Sequence, residues 1–378
     1  SKLISCKCKI KSCYKRCWLC SGSPVNKVFQ TDVAMEVTGA TPIRVQTLAQ
    51  RKTPTVPPQY IQPPEQRPRP TSAAATIPLI DLSLSSDDVR REIAGACREW
   101  GAFHVVNHGV PKQLLDEMRA VGSSFFNDLG VSEKLKYSCD SSSAASEGYG
   151  SRMLVSKSDD TVLDWRDYFD HHTFPLSRRN PCRWPDYPPN YRKVVEEYSE
   201  HVKMLAQKLL SLISDSLGLR PSCIEDAVGE FYQNITVSYY PPCPEPELTL
   251  GLQSHSDMGA ITLLIQDDVG GLEVLKDGEW VIVQPSSDAI VVLLADQTEV
   301  ITNGEYKSSI HRAITNARRA RFSVATFHDP AKTRMISPAP ELVSKSRARY
   351  REVLYGDFVK SWYSNGPEGK RNLDALRL

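Results

Sequence analysis

After Gly229 the spacing of apolar residues changes from the helical period to simple alternation, and this change constrains the fold more than any other feature. NITVSYY, LGLQSHSD, AITLLIQ, LEVLK, EWVIVQ, AIVVLLAD, SIHRAI and RFSVATFH follow one another as short strand-like runs, separated by turn residues such as Asp277-Gly278. Alternation buries one face of each strand. A succession of such strands therefore predicts a β-sandwich or jelly roll.

The first half reads differently. IPLIDL (residues 77–82) is a first strand, and Ser85 with Asp88 forms a capping box ahead of Val89, Ile93, Ala96 and Trp100 at helical spacing. Gly101 stops that helix, and AFHVVNHG gives a short strand and turn. Pro111 opens a second helix with Leu114, Leu115, Met118, Val121, Phe125 and Leu129 on one face. Residues 141–160 are polar and small and read as a mobile loop, WRDYFDHH as a strand, and Val194 to Ser216 as a long helix. The tail returns to helix with Phe358, Val359, Trp362 and Tyr363 on its apolar side. The expected architecture is α+β, a double-stranded β-helix (jelly roll) core flanked by N-terminal helices and a C-terminal helix.

The boundaries expected are a Pro-rich extended arm over 35–75, a helical region over 76–230, the jelly-roll core over 231–331 and a helical tail over 332–378, with 76–378 as one structural domain. Pro54, Pro57, Pro58, Pro63, Pro64, Pro68 and Pro70 disfavour regular structure in the arm, while Val56, Tyr60 and Ile61 are positioned to pin it to the domain. Cys6, Cys8, Cys13, Cys17 and Cys20 crowd the first residues among Lys and Arg. They suggest either a zinc knuckle or a segment foreign to the working protein. The second reading is preferred for residues 1–34, because the first Met is Met35.

The composition, 24 % charged and 40 % hydrophobic, is that of an ordinary globular protein. A formal net charge of +1 gives no electrostatic basis for binding nucleic acid or a membrane surface. No apolar run approaches the length of a membrane span. A cytoplasmic monomer is expected.

The chemistry concentrates in LTLGLQSHSDMGAITLLIQ. His255 and Asp257 stand two apart in an alternating segment, so a strand would send both to one face. With His311 from a later strand they make a two-His-one-carboxylate set, the arrangement that leaves one side of an Fe(II) ion open. Glu197 and His201, one helical turn apart, lack further ligands and read as a solvated surface pair. In RFSVATF, Arg321 and Ser323 share a face, and an inward Arg is costly unless it meets an anion. A guanidinium with a neighbouring hydroxyl, and Tyr240 as a third donor, suits the far carboxylate of a dicarboxylic keto acid whose other end chelates the metal.

The chain resembles the plant 2-oxoglutarate- and Fe(II)-dependent dioxygenases of specialised and hormone metabolism, the group that includes anthocyanidin synthase, flavonol synthase and the jasmonate-induced oxygenases. The resemblance runs from about Arg44 to the C-terminus, and its marks are IPLIDL, WGAFHVVNHGV, SYYPPCPEPELTLGLQSHSD, ITNGEYKSSIHRAITN and RFS. It implies His255, Asp257 and His311 as iron ligands and Tyr240, Arg321 and Ser323 as 2-oxoglutarate contacts. It further implies oxidative decarboxylation of 2-oxoglutarate by O2 to succinate and CO2, coupled to hydroxylation, desaturation or demethylation of a small metabolite, with ascorbate as reductant. The chain departs from the family pattern at Ser238, where Asn is usual, and at Ala295, where Gly is usual.

Candidate substrate contacts are Phe327, Tyr149, Met153, Tyr232, Thr236 and Met258, with Phe169 as a further one, in a mostly apolar pocket. The aromatic segment around Phe358–Trp362 is expected to close the barrel mouth. Two rivals remain open: a same-fold condensing or ligand-binding protein that does not use 2-oxoglutarate, and a cupin-like metal enzyme without a keto acid.

Overall fold

Ser85 accepts a hydrogen bond from the Asp88 amide and donates its hydroxyl to the Asp88 carboxylate, so the first long helix starts where its capping residues place it. The computed structural model describes residues 44–69, 75–140, 147–150, 162–366 and 369–378. Residues 1–34 and Met153 therefore lie outside the described residues. In order, the helical half contains α1 (Val45–Gln50), β1 (Leu79–Asp81), α2 (Ser86–Glu99), β2 (Ala102–Val106), α3 (Lys112–Asp128), α4 (Val131–Leu135), β3 (Gly148–Gly150), β4 (Asp167–Phe174), α5 (Tyr191–Ser216) and α6 (Cys223–Val228). The strand-rich half contains β5 (Tyr232–Tyr240), β6 (Leu252–His255), β7 (Ile261–Gln266), β8 (Leu272–Lys276), β9 (Glu279–Ile282), β10 (Ile290–Leu294), α7 (Asp296–Ile301), β11 (His311–Ala313) and β12 (Arg321–Asp329). The tail adds β13 (Met335–Ile336), α8 (Pro340–Val343), β14 (Val353–Leu354), α9 (Tyr355–Asn365) and α10 (Arg371–Asp374).

The strands form an eight-stranded sheet, β1-β2-β10-β7-β12-β5-β4-β3, and a four-stranded sheet, β6-β11-β8-β9. β1 and β2 run parallel, whereas the ladders of β12 with β5 and β7 are antiparallel. This is the double-stranded β-helix expected from the alternation. Phe322 and Val324 of β12, with Ile235, Val237 and Tyr239 of β5, join the core shared with α2, α3 and α5. Gly122 lets α3 lie directly on this sheet, since a Cβ there would come within 2.6 Å of the Phe322 ring. The opposite faces of β5 and β12 line an internal cavity.

Two local features differ from the sequence reading. The arm carries a short helix, α1, because the Asp167 carboxylate accepts hydrogen bonds from the Val45 and Gln46 amides, both at 2.9 Å. That cap comes from a distant strand and leaves no mark in the local sequence. Val56 and Tyr60 are buried with Trp165, and Tyr60 meets the Trp165 ring edge-on at 5.1 Å. Within the expected loop, Gly148–Gly150 forms an edge strand on β4; residues 141–146 and 151–161 lie outside the described residues. Among the described residues, no helix is long and apolar enough to cross a membrane.

Candidate active site

His255 closes β6 and His311 opens β11, and the two are Cα partners in that ladder. Each Nδ1 lies against a backbone carbonyl, Gln253 for His255 at 2.7 Å and Ser309 for His311 at 3.2 Å. A carbonyl only accepts, so Nδ1 carries the proton and Nε2 presents a lone pair. Both lone pairs converge on Asp257 Oδ1, 3.4 Å from His255 Nε2 and 3.7 Å from His311 Nε2. Asp257 sits just past the end of β6, so it reaches this point from a turn and not from strand alternation. It is held there by Thr262, whose hydroxyl donates to Oδ2 at 2.6 Å.

Among the described residues these three form the group able to hold a metal ion, with ligand atoms within 4.8 Å of one another. Burial opposes ionisation of Asp257. The His311 and His255 rings and the Thr262 hydroxyl outweigh it and hold the pKa at about 2. Burial, reinforced by the neighbouring His255, lowers the pKa of His311 to about 4, which keeps the ring neutral and ligand-ready at pH 7. A buried imidazole–carboxylate–imidazole set matches the ligand preferences of ferrous iron. Glu197 and His201 belong to no such group.

Arg321 is 2 % exposed and lies in the cavity wall. Its guanidinium donates to Ser323 Oγ and to Gln266 Oε1, both at 3.2 Å, and among the described residues its Nε has no partner. The Tyr240 ring lies 4.6 Å from the guanidinium carbon. Burial alone would raise the Tyr240 pKa. The Arg321 and Arg166 guanidiniums, with the Ser238 and Ser323 hydroxyls, bring it below the ordinary tyrosine value. A buried guanidinium bonded only to neutral groups, with one N–H orphaned, fits the carboxylate of a keto acid.

The two departures from the family pattern have structural accounts. Ser238 accepts from Arg166 Nη1 at 3.3 Å, so a guanidinium stands beside the position of the usual Asn amide. Ala295 has φ −112, which any residue adopts, so glycine is not required there.

Tyr232, Thr236, Met258 and Phe327 line the cavity. Tyr149 and Phe169 do not. They are register partners on β3 and β4, and both side chains point into the helical core, where each packs edge-on against Phe125. Strand alternation instead sends Tyr168 and Asp170 to the cavity. Sequence reasoning also missed Arg166, Arg178, Asp329 and Lys332, which give the cavity a charged lining where a mostly apolar one was expected. From α9, Val359, Trp362 and Tyr363 line the cavity, whereas Phe358 is buried in the core.

A double-stranded β-helix carrying two histidines, one carboxylate and a buried cavity arginine defines the class of mononuclear non-haem iron oxygenases that consume a keto acid. Comparison with known proteins agrees. The family model for the 2OG-Fe(II) oxygenase superfamily matches residues 231–330, and the model for the N-terminal region of a non-haem dioxygenase in morphine synthesis matches residues 77–190. Jasmonate-induced oxygenase 4 of Arabidopsis thaliana is 39 % identical over 347 residues, covering 89 % of this chain and 97 % of the relative. Flavanone 3-dioxygenase 2 of Oryza sativa subsp. japonica is 38 % identical over 328 residues, covering 85 % of this chain and 94 % of the relative. The crystal structure of JOX2 in complex with 2OG, Fe and JA superposes with a TM-score of 0.84 at 37 % identity, covering 90 % of this chain and 98 % of the other. The chain belongs to the 2OG-Fe(II) oxygenase superfamily and is an Fe(II)- and 2-oxoglutarate-dependent dioxygenase.

Proposed function

We propose that His255, Asp257 and His311 hold the ferrous iron, that Arg321, Ser323 and Tyr240 hold the far carboxylate of 2-oxoglutarate, and that the remaining cavity takes a small hormone-like or phenolic metabolite. The observation that carries this reading is the convergence of three buried ligand atoms beside a buried Arg321 with an orphaned N–H. Iron, when bound, supplies the activation of O2 that couples 2-oxoglutarate decarboxylation to oxidation of the organic substrate. The chain's own residues do the rest. The Gln253 and Ser309 carbonyls fix the two imidazoles by holding the proton on Nδ1, and Thr262 fixes the carboxylate rotamer. Arg321 and Tyr240 orient the keto acid, and the apolar residues Leu252, Leu264, Leu272 and Leu293 keep water from that end of the cavity.

The substrate class is supported by the relatives, whose names refer to jasmonate and a flavanone, and by Tyr232, Phe327, Trp362 and Tyr363 along the wall. Ascorbate serves as the reductant that keeps the iron ferrous, and the enzyme works as a cytoplasmic monomer in specialised or hormone metabolism. Succinate release with and without Fe(II), in the wild type and in Arg321→Gln, tests this reading. Release that ignores Fe(II), or a 2-oxoglutarate requirement unchanged in Arg321→Gln, would favour the condensing or cupin-like alternatives.

A further inference from the structure

The cavity extends past the level of the iron ligands to a second charged end. Thr262, which holds Asp257, is the register partner of Phe327 on β12. Asp329 is the next cavity-facing position on β12 and pairs with Tyr232, on the side away from Arg321. Strand rise puts that level about 7 Å beyond Phe327. Arg178 reaches it from the loop after β4, with its guanidinium carbon 4.4 Å from the Tyr232 ring centroid, in a wall shared with Asp170, Asp329 and Lys332. Among the described residues Arg178 has no ion-pair partner and makes no side-chain hydrogen bond, although burial lowers its pKa. The nearby carboxylates Asp170, Asp329 and Glu147 favour its charge through space, but none of them bonds to it, so its N–H groups remain available to a ligand.

We propose that Arg178 anchors a carboxylate of the organic substrate, so that the enzyme oxidises a small organic acid whose acid group points away from the keto-acid end. This deepens the oxygenase reading above and rests on it. Stacking on Tyr232 fixes the plane of the guanidinium, leaving its edge for a bidentate carboxylate. Asp170 is turned toward Thr236, whose Oγ1 donates to its Oδ1 at 2.7 Å, and it forms no ion pair with Arg178. Burial raises the pKa of Asp170 to about 7, which weakens it as a counter-charge at neutral pH. Lys332, exposed at the rim, adds a second cation. An amine bound beside Asp170 and Asp329 would face Arg178 and be repelled by it.

The test uses the full chain loaded anaerobically with Fe(II) and 2-oxoglutarate, read by equilibrium dialysis and thermal shift. The probes are jasmonate, indole-3-acetate and cinnamate, each against its methyl ester, with tyramine as an amine and naringenin as a neutral polyphenol. At least one acid is expected to bind about tenfold or more tightly than its ester, the scale of one charge-assisted hydrogen-bond pair. Arg178→Gln should abolish that preference and Arg178→Lys should restore part of it. Binding of esters, tyramine or naringenin as tightly as the acids, failure of every acid to bind, or an unchanged preference in Arg178→Gln would each overturn the proposal. The acid–ester comparison in wild-type protein decides even if a variant does not fold. Fe(II)-dependent succinate release without organic ligand tests the oxygenase reading separately, so the two can fail independently.

Discussion

His255 and His311 face each other across the β6–β11 ladder, with ring centroids 4.3 Å apart. Register pairing alone places both rings at one point, so the proposed metal site is a property of how two short strands align. Replacing either ring with Ala should therefore leave the sheet intact and abolish Fe(II) retention. The loss should exceed the roughly 100-fold that removing an outer-shell partner can cost. Metal analysis after dialysis, beside a melting curve, checks both halves of the expectation.

Thr262 would act as such a partner of the proposed ligand Asp257. Its hydroxyl donates to Asp257 Oδ2 at 2.6 Å, and Thr262→Val removes the donor at nearly constant shape. Fe(II) affinity should fall by roughly 10- to 100-fold with little change in stability. Isothermal titration with Fe(II) under anaerobic conditions measures it.

Arg321→Gln removes a charge that, among the described residues, no carboxylate pairs with directly, since its hydrogen bonds run to Ser323 and Gln266. Loss of charge-assisted bonds of roughly 1.5–3 kcal/mol should raise the 2-oxoglutarate KM by about 10- to 100-fold. Turnover at saturating 2-oxoglutarate should change far less. A kcat that collapses while KM holds would show that Arg321 does something other than hold the keto acid.

Asp170 gives a pH prediction with a definite sign. Burial in the cavity wall raises its pKa to about 7, above its ordinary value, so the folded chain holds a proton there that the unfolded chain has released. Stability from this group is complete at pH below the unfolded value, and it declines as pH rises from about 4 to about 7. Asp170→Asn should be more stable relative to wild type at pH 8 than at pH 4. Denaturant melts at the two pH values provide the comparison.

Glu273 and Arg312 form a buried ion pair at 2.7 Å, with side chains 1 % and 3 % exposed, and Arg312 also lies over the Trp280 ring. Glu273→Gln leaves a buried guanidinium without its counter-charge and should cost about 3–5 kcal/mol of folding stability. The double variant Glu273→Gln/Arg312→Met should recover part of that loss.

The barrel was legible in the sequence because alternation after Gly229 marks each strand, and the parity of Arg321 and Ser323 places both on the cavity side. The same rule failed on β4. Both faces of that strand are buried and aromatic, so the local pattern does not say which side Phe169 takes. The choice is made by its long-range pairing with β5, where Phe169 lies opposite Val237 and faces the helices. Tyr149 follows Phe169 through the β3–β4 register. Arg166 and Arg178 were invisible as well. Arg166 shares the parity of Tyr168 and Asp170 but was tied to a strand whose two faces the pattern does not tell apart, and Arg178 lies in the loop after β4, which only folding brings to the cavity.

The central claim is one ferrous iron held by His255, Asp257 and His311 beside 2-oxoglutarate. Anaerobic titration of the metal-free chain with Fe(II) and then 2-oxoglutarate, followed by visible absorption, tests it most directly. Wild type should take up one iron per chain and develop a charge-transfer band when 2-oxoglutarate is added, and His311→Ala should do neither. Equal iron uptake by His311→Ala, or no band in iron-loaded wild type, would contradict it.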